Sequence, residues 1–255
     1  MQSPRVILLP LGGGAESGAL TLADGGRLTR RLLVFVLLVV PSVPAAGQQY
    51  VWSVPSNDVL EKGGLLLETY AYLGPSHPRS LYLGPRLVAG VGSHVELGLN
   101  VSSNVRPTSD ARVELAVKWK PWTSGGDTWD LLAGTHAYVP VYHRDYTFGS
   151  YSYAQLGRSF AGGARLSAGP YLYSAKVVAS SARAGAQIAY EQPLGHRLTL
   201  GADWVTGRHA AGYSTLGLYF EVTPKLFVSA GYAFGNTGVA DGNHYLVLAL
   251  SWEAK

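Results

Sequence analysis

The sequence predicts an all-β chain, a single antiparallel up-and-down transmembrane β-barrel of about twelve strands, with ten or fourteen as the alternative counts. Three observations predict it. Past Pro55 the chain falls into segments of about 9 to 13 residues with alternating polarity, separated by turn-forming residues. Only 14% of the residues are charged, against about 25% in ordinary soluble domains. Aromatic residues recur at one end of alternate segments, always on the apolar parity.

The chain of 255 residues opens on 29 residues without a clear fold pattern, expected as an extension from a start codon read too early. Residues 30–47 then carry Arg30 and Arg31, an apolar run from Leu32 to Val40, a Pro break, and the small residues Ala45, Ala46 and Gly47. That order is the signature of a cleaved secretory signal peptide. The run falls short of the roughly 20 residues a membrane-spanning helix needs. Residues 48–62 read as a periplasmic lead-in and 63–255 as the barrel.

The strand segments are expected at 63–74, 80–92, 95–105, 110–121, 128–142, 148–160, 164–174, 182–192, 197–207, 213–223, 226–236 and 244–253. The fourth shows the rhythm most plainly. Arg112, Glu114, Ala116, Lys118 and Lys120 alternate with Val113, Leu115, Val117 and Trp119, and successive side chains of a strand point to opposite faces. The rhythm alone does not say which face is inside. A soluble sandwich would bury the Val and Leu side, whereas an outer-membrane barrel turns it toward lipid. The aromatics decide. On the apolar parity, Trp119, Phe160, Tyr190, Phe220 and Trp252 end five of the six strands that run toward the short connections. A bilayer interface gives such a girdle a reason, and a soluble core does not. Trp204, Tyr232 and Phe234 sit near the opposite strand ends and fit a second girdle.

Connection lengths agree. GSH, AGG, PLGH and TPK are tight, while GPSHPRS, SSNVRPTSD, YHRDYTF, SAKVVASS, GRHAAGY and GNTGVADGN are longer and more polar. Short turns on the periplasmic side and long loops outside are the asymmetry of outer-membrane barrels. The connection from Pro121 to Thr128 fits this pattern poorly.

With the apolar parity toward lipid, the lumen receives Glu68, Arg86, Glu96, Arg112, Glu114, Lys118, Lys120, Asp130, His136, Arg165, Arg183, Glu191, Asp203 and Glu221. This lining is close to neutral and mixed in sign. Its charges either pair across strands and pack a narrow barrel, or they line a polar pore. Eight-stranded barrels are filled by side chains and sixteen-stranded ones hold a channel, so twelve strands fall between.

Other chemistry is not expected. A hydrolase on the barrel wall needs a Ser nucleophile, a His base and an orienting polar group toward lipid; no His-x-Ser motif accompanies His136 or His143. A rim protease would draw on His143, Asp145, His209, Asp241 and His244, all on loops or strand tips. The expectation is therefore a protein that is not an enzyme, with no cofactor and no metal. The chain has no cysteine, and its seven histidines show no ligand spacing. From Gln48 onward 16 basic and 14 acidic residues remain, which gives nucleic acid no basic patch to bind.

The succession NDVLEKGGLLLETYAY, VGSHVELGLNV, ARVELAVKWKPW, LLAGTHAYVPV, RLTLGADW, LGLYFEVTPKLFVSAGYAFG and HYLVLALSW resembles the transporter-like outer-membrane barrels grouped under the putative meta-pathway of phenol degradation. The resemblance implies a Gram-negative-type outer-membrane protein engaged in small-molecule uptake. Outer-membrane lipid, the barrel-assembly machinery and a small-molecule solute are the expected partners. Such barrels commonly end on an aromatic residue, whereas Glu253, Ala254 and Lys255 follow Trp252 here. The expected function is a narrow passive channel or transporter. The alternatives are a structural or surface-exposed barrel with a plugged lumen and, third, a membrane-embedded hydrolase.

Overall fold

The computed structural model describes residues 49–255 except 77–78, 107, 127, 143–147, 179, 239–242 and 255. The expected extension and signal peptide lie outside the described residues, as do His143, Asp145 and Asp241. The strands are β1 (Leu65–Gly74), β2 (Ser80–Gly92), β3 (Val95–Arg106), β4 (Thr108–Thr123), β5 (Trp129–Tyr142), β6 (Gly149–Ser159), β7 (Arg165–Tyr173), β8 (Ala184–Pro193), β9 (Leu198–Val205), β10 (Tyr213–Thr223), β11 (Leu226–Gly235) and β12 (His244–Ala254). One short helix, α1 (Ala175–Val178), lies between β7 and β8. Each strand pairs antiparallel with its sequence neighbour, and β1 pairs with β12 to close the barrel. Closure removes the edges, so the ladder satisfies the backbone without water, as crossing hydrocarbon requires.

Facing follows from the alternation. On β4, Leu115, Val117 and Trp119 are 51%, 41% and 49% exposed, whereas Glu114 and Lys118 are 5% and 2% exposed. Leu97 and Leu99 on β3 and Leu246, Leu248 and Leu250 on β12 share the exposed parity. An apolar exterior around a charged interior inverts the arrangement of a soluble protein. Only lipid removes such an exterior from water, so the chain is a transmembrane barrel of the outer-membrane type. Trp119, Phe160, Tyr190, Phe220 and Trp252 are all exposed at the short-turn end. Trp204 and Phe234 are exposed near the other end.

Two connections differ from their sequence expectation. The awkward stretch after Pro121 is a bulge, because β4 continues to Thr123 with a register shift between Trp119 and Trp122. The turn then closes with Ser124 N–H donating to the Trp129 carbonyl at 2.8 Å. A bulge is where a strand accommodates proline. The expected loop SSNVRPTSD is mostly strand, with Val105 opposite Thr108. Polar residues there mimic a loop, although a strand that has left the bilayer no longer needs an apolar face. Between β2 and β3, Ser93 and His94 adopt φ of 54° and 58°, the left-handed pair of a two-residue hairpin turn that matches strand twist.

Residues 49–60, expected within a periplasmic lead-in at 48–62, instead lie inside the barrel. Val51, Trp52, Val54 and Leu60 are at most 7% exposed, and the first three pack into the same cluster as Tyr138, Tyr151, Tyr173 and Tyr219. The segment turns back on itself, with Val51 N–H bonded to the Val54 carbonyl at 2.9 Å and Ser56 N–H to the Gln49 carbonyl at 3.0 Å. Inward-facing side chains supply the partners its remaining polar backbone groups would otherwise find in water.

Candidate functional site

The site is the lumen and the segment folded into it. Asp203, on β9, has no cationic neighbour across either ladder: Ala189 and Thr215 stand opposite. Its Oδ2 accepts the backbone N–H groups of Trp52 at 3.0 Å, Ser53 at 2.5 Å and Val54 at 2.7 Å. Three successive N–H groups converging on one oxygen form an anion-binding nest, built here around the barrel's own carboxylate. Beside it the Trp52 indole stacks on Tyr219 with ring centroids 4.7 Å apart and donates to the Gly201 carbonyl at 3.0 Å. Gly217 and Gly231 make that seat: a Cβ on either would meet the indole within 3 Å.

Elsewhere around the wall the ladder puts charges directly across from one another. Glu68 faces Arg86, Glu96 faces Lys118, and Arg165 faces Glu191. The contacts are 2.8 Å in each pair. These pairs also hold the segment. Glu96 accepts Leu60 N–H at 2.9 Å, Lys118 reaches the Gln49 and Ser56 carbonyls at 3.4 Å, and Arg165 binds Asp58 at 2.6 Å. Gln155 donates to the Pro55 carbonyl at 2.8 Å. Asn57 bonds Asp130, which lies 3.9 Å from Lys120. His136 donates through Nδ1 to Glu114, while its Nε2 meets the Tyr50 hydroxyl at 3.0 Å. The Tyr50 ring and the Tyr70 ring flank the Arg86 guanidinium at 4.3 and 4.9 Å.

The segment does not fill the barrel. A cavity of about 380 Å³ remains, lined by Tyr70, Tyr72, Tyr82, Tyr138, Tyr213 and Tyr245. Its lining reaches from Ser80 and Asn104, toward the exterior strand ends, to His196 and Arg197 in the turn between β8 and β9. Arg112, Glu114 and Glu221 also border it. Arg112 donates to Ser102 at 3.1 Å and lies over the Tyr138 ring at 4.7 Å. Arg183, expected in the lining, precedes β8 and is exposed, because the chain joins the ladder one residue later.

The remaining candidates sit at the exterior end. His209 is buried against Tyr171 and Tyr173. Ala211 N–H donates to its Nδ1 at 3.2 Å, which leaves Nε2–H to donate to the Tyr171 hydroxyl at 2.8 Å. Burial holds this imidazole below its ordinary pKa. His244 lies between Ser76, at 2.6 Å from Nε2, and Tyr232 on Nδ1.

No family model matches the chain, and no curated protein matches it. Solved structures do. Outer membrane phospholipase A from Escherichia coli matches with 14% identity and a TM-score of 0.44, over 75% of this chain and 91% of that one. An active-site mutant of it matches at 12% and 0.45, over 78% and 93%. The Salmonella typhi outer membrane phospholipase dimer with bound calcium matches at 13% and 0.44, over 79% and 94%. The sequence-based exclusion of enzymes is withdrawn: the solved structures that match are those of an enzyme, and at 12–14% identity they assign this chain no activity of its own.

Proposed function

We propose that this barrel is a narrow outer-membrane passage for small solutes, partly closed by its own N-terminal segment. The supporting observation is the cavity of about 380 Å³ whose lining includes both exterior and periplasmic residues. Solutes would diffuse past tyrosine faces, hydroxyls and the Arg112 guanidinium, a surface suited to small planar or amphipathic organic molecules. Small-molecule uptake is also what the resemblance to the phenol-degradation barrels implies. In this reading residues 30–47 direct export and are cleaved, and the barrel-assembly machinery inserts 63–255 into the outer membrane. The lumenal charges Glu68, Arg86, Glu96, Glu114, Lys118, Asp130, His136, Arg165, Glu191 and Asp203 pack the narrow barrel and hold the segment, while Arg112 and Glu221 border the open path.

Planar-bilayer recording of the refolded protein, with folding verified by heat-modifiable migration, tests this. The expected result is small, defined single-channel steps, below those of wide sixteen-stranded porins. Arg112→Glu should shift the reversal potential toward cation selectivity. No channel events from folded protein would overturn the reading and leave the plugged structural barrel.

A further inference from the structure

The chain leaves β1 beside the start of β12, since Leu73 stands opposite Leu246. That places Ser76, just past the end of β1, against His244. The Ser76 Oγ is 2.6 Å from His244 Nε2, and His244 Nδ1 bonds the Tyr232 hydroxyl. The register fixes the face they occupy. His244 is opposite Phe234 and Tyr232 is opposite Leu246, while Phe234 and Leu246 are 46% and 40% exposed. Ser76, His244 and Tyr232 therefore form a chain on the lipid side of the wall rather than in the lumen.

Their height is equally specific. From His244 to the girdle residue Trp252 the strand rises roughly 26 Å, or about 20 Å along the membrane normal at a tilt of about 40°. With an apolar band of about 25 Å, His244 lies near its exterior boundary. The Tyr232 and Phe234 rings, 4.7 Å apart, belong to the aromatic layer there. This is the depth at which a lipid carries its acyl ester bonds.

We propose that Ser76, His244 and Tyr232 form a lipid-facing acyl-ester hydrolase site, with membrane lipid as its substrate class. The nucleophile touches the base, and the base's second nitrogen touches an orienting hydroxyl, the relation nucleophilic acyl transfer requires. With the proton on Nδ1 donated to the Tyr232 oxygen, Nε2 is free to accept the Ser76 proton. Ser76 Oγ then attacks the ester carbonyl as His244 takes that proton. The carbon–oxygen bond to the lipid alcohol breaks, and His244 returns the proton to the leaving oxygen, giving an acyl-serine. Water attacks the acyl-serine with His244 again taking a proton. A fatty acid departs and Ser76 is regenerated. Ser76 is partly exposed, and His244 is 9% exposed. Tyr232 is a positioning residue.

The test uses full-length protein refolded in detergent and presented with phosphatidylcholine vesicles and mixed micelles, with folding checked by heat-modifiable migration. Fatty-acid release and labelling of Ser76 by a fluorophosphonate probe are expected. Ser76→Ala and His244→Asn should each lower release at least a hundredfold while channel conductance stays unchanged, which separates this site from the passage. Tyr232→Phe should keep the fold, lower turnover about tenfold and move the pH profile, which a mere packing contact would not do. Folded wild-type protein that neither releases fatty acid nor takes the probe overturns the proposal. So does release that persists undiminished in Ser76→Ala.

Discussion

Trp52→Ala should release the N-terminal segment from the lumen and raise single-channel conductance several-fold. The substitution removes the stack on Tyr219, the hydrogen bond to the Gly201 carbonyl and the seat over Gly217 and Gly231. Truncating a buried Trp costs about 3 to 5 kcal/mol, and each 1.4 kcal/mol is tenfold in an equilibrium. Release therefore becomes at least about a hundredfold more favourable, and the Asp203 nest is left to hold the segment with the polar contacts at Tyr50, Pro55, Asp58 and Leu60. Trp52→Phe, which keeps the ring stack, should stay near wild-type conductance. Equal conductance in wild type and Trp52→Ala would mean that the segment does not limit the path.

Glu96→Gln should be the most destabilising single change in the lumenal wall. Lys118 and Glu96 are each 2% exposed and 2.8 Å apart, and Glu96 also holds Leu60 N–H. Removing one charge of a buried pair leaves the other uncompensated, at a cost of about 3 to 5 kcal/mol. The double variant Glu96→Gln with Lys118→Met carries no such charge and should recover most of that loss. Urea titration in lipid vesicles reads both. A loss below about 1 kcal/mol for Glu96→Gln would show that water or another anion replaces the partner.

The strands were legible because one rule, a period of two, governs both the ladder and the facing. Leu115, Val117 and Trp119 could be set against Glu114 and Lys118 without knowing any contact. Once the hairpins are in register, the opposition of Glu68 to Arg86 and of Glu96 to Lys118 follows as well. The rule fails where the environment changes. Beyond the bilayer β3 and β4 continue with polar residues that resemble a loop, and Pro121 hides a bulge. The lumenal segment escaped for a different reason. Residues 49–60 have no ladder, and their partners, Asp203, Gln155 and Glu96, lie 36 to 151 residues away. Two signals pointed to it in retrospect: an acidic residue on β9 without a cross-strand cation, and the inward pair Gly217 and Gly231. The Ser76–His244 contact spans 168 residues and arises only because β12 closes on β1, so no local motif could mark it.

Trp52 seats the N-terminal segment in the lumen against β9, β10 and β11. A photo-crosslinking benzophenone side chain in place of Trp52, in folded protein in lipid vesicles, tests it directly. The expected result is an intramolecular adduct on the peptides carrying Gly217 and Gly231. An adduct only outside the barrel wall, or none in folded protein, would contradict it.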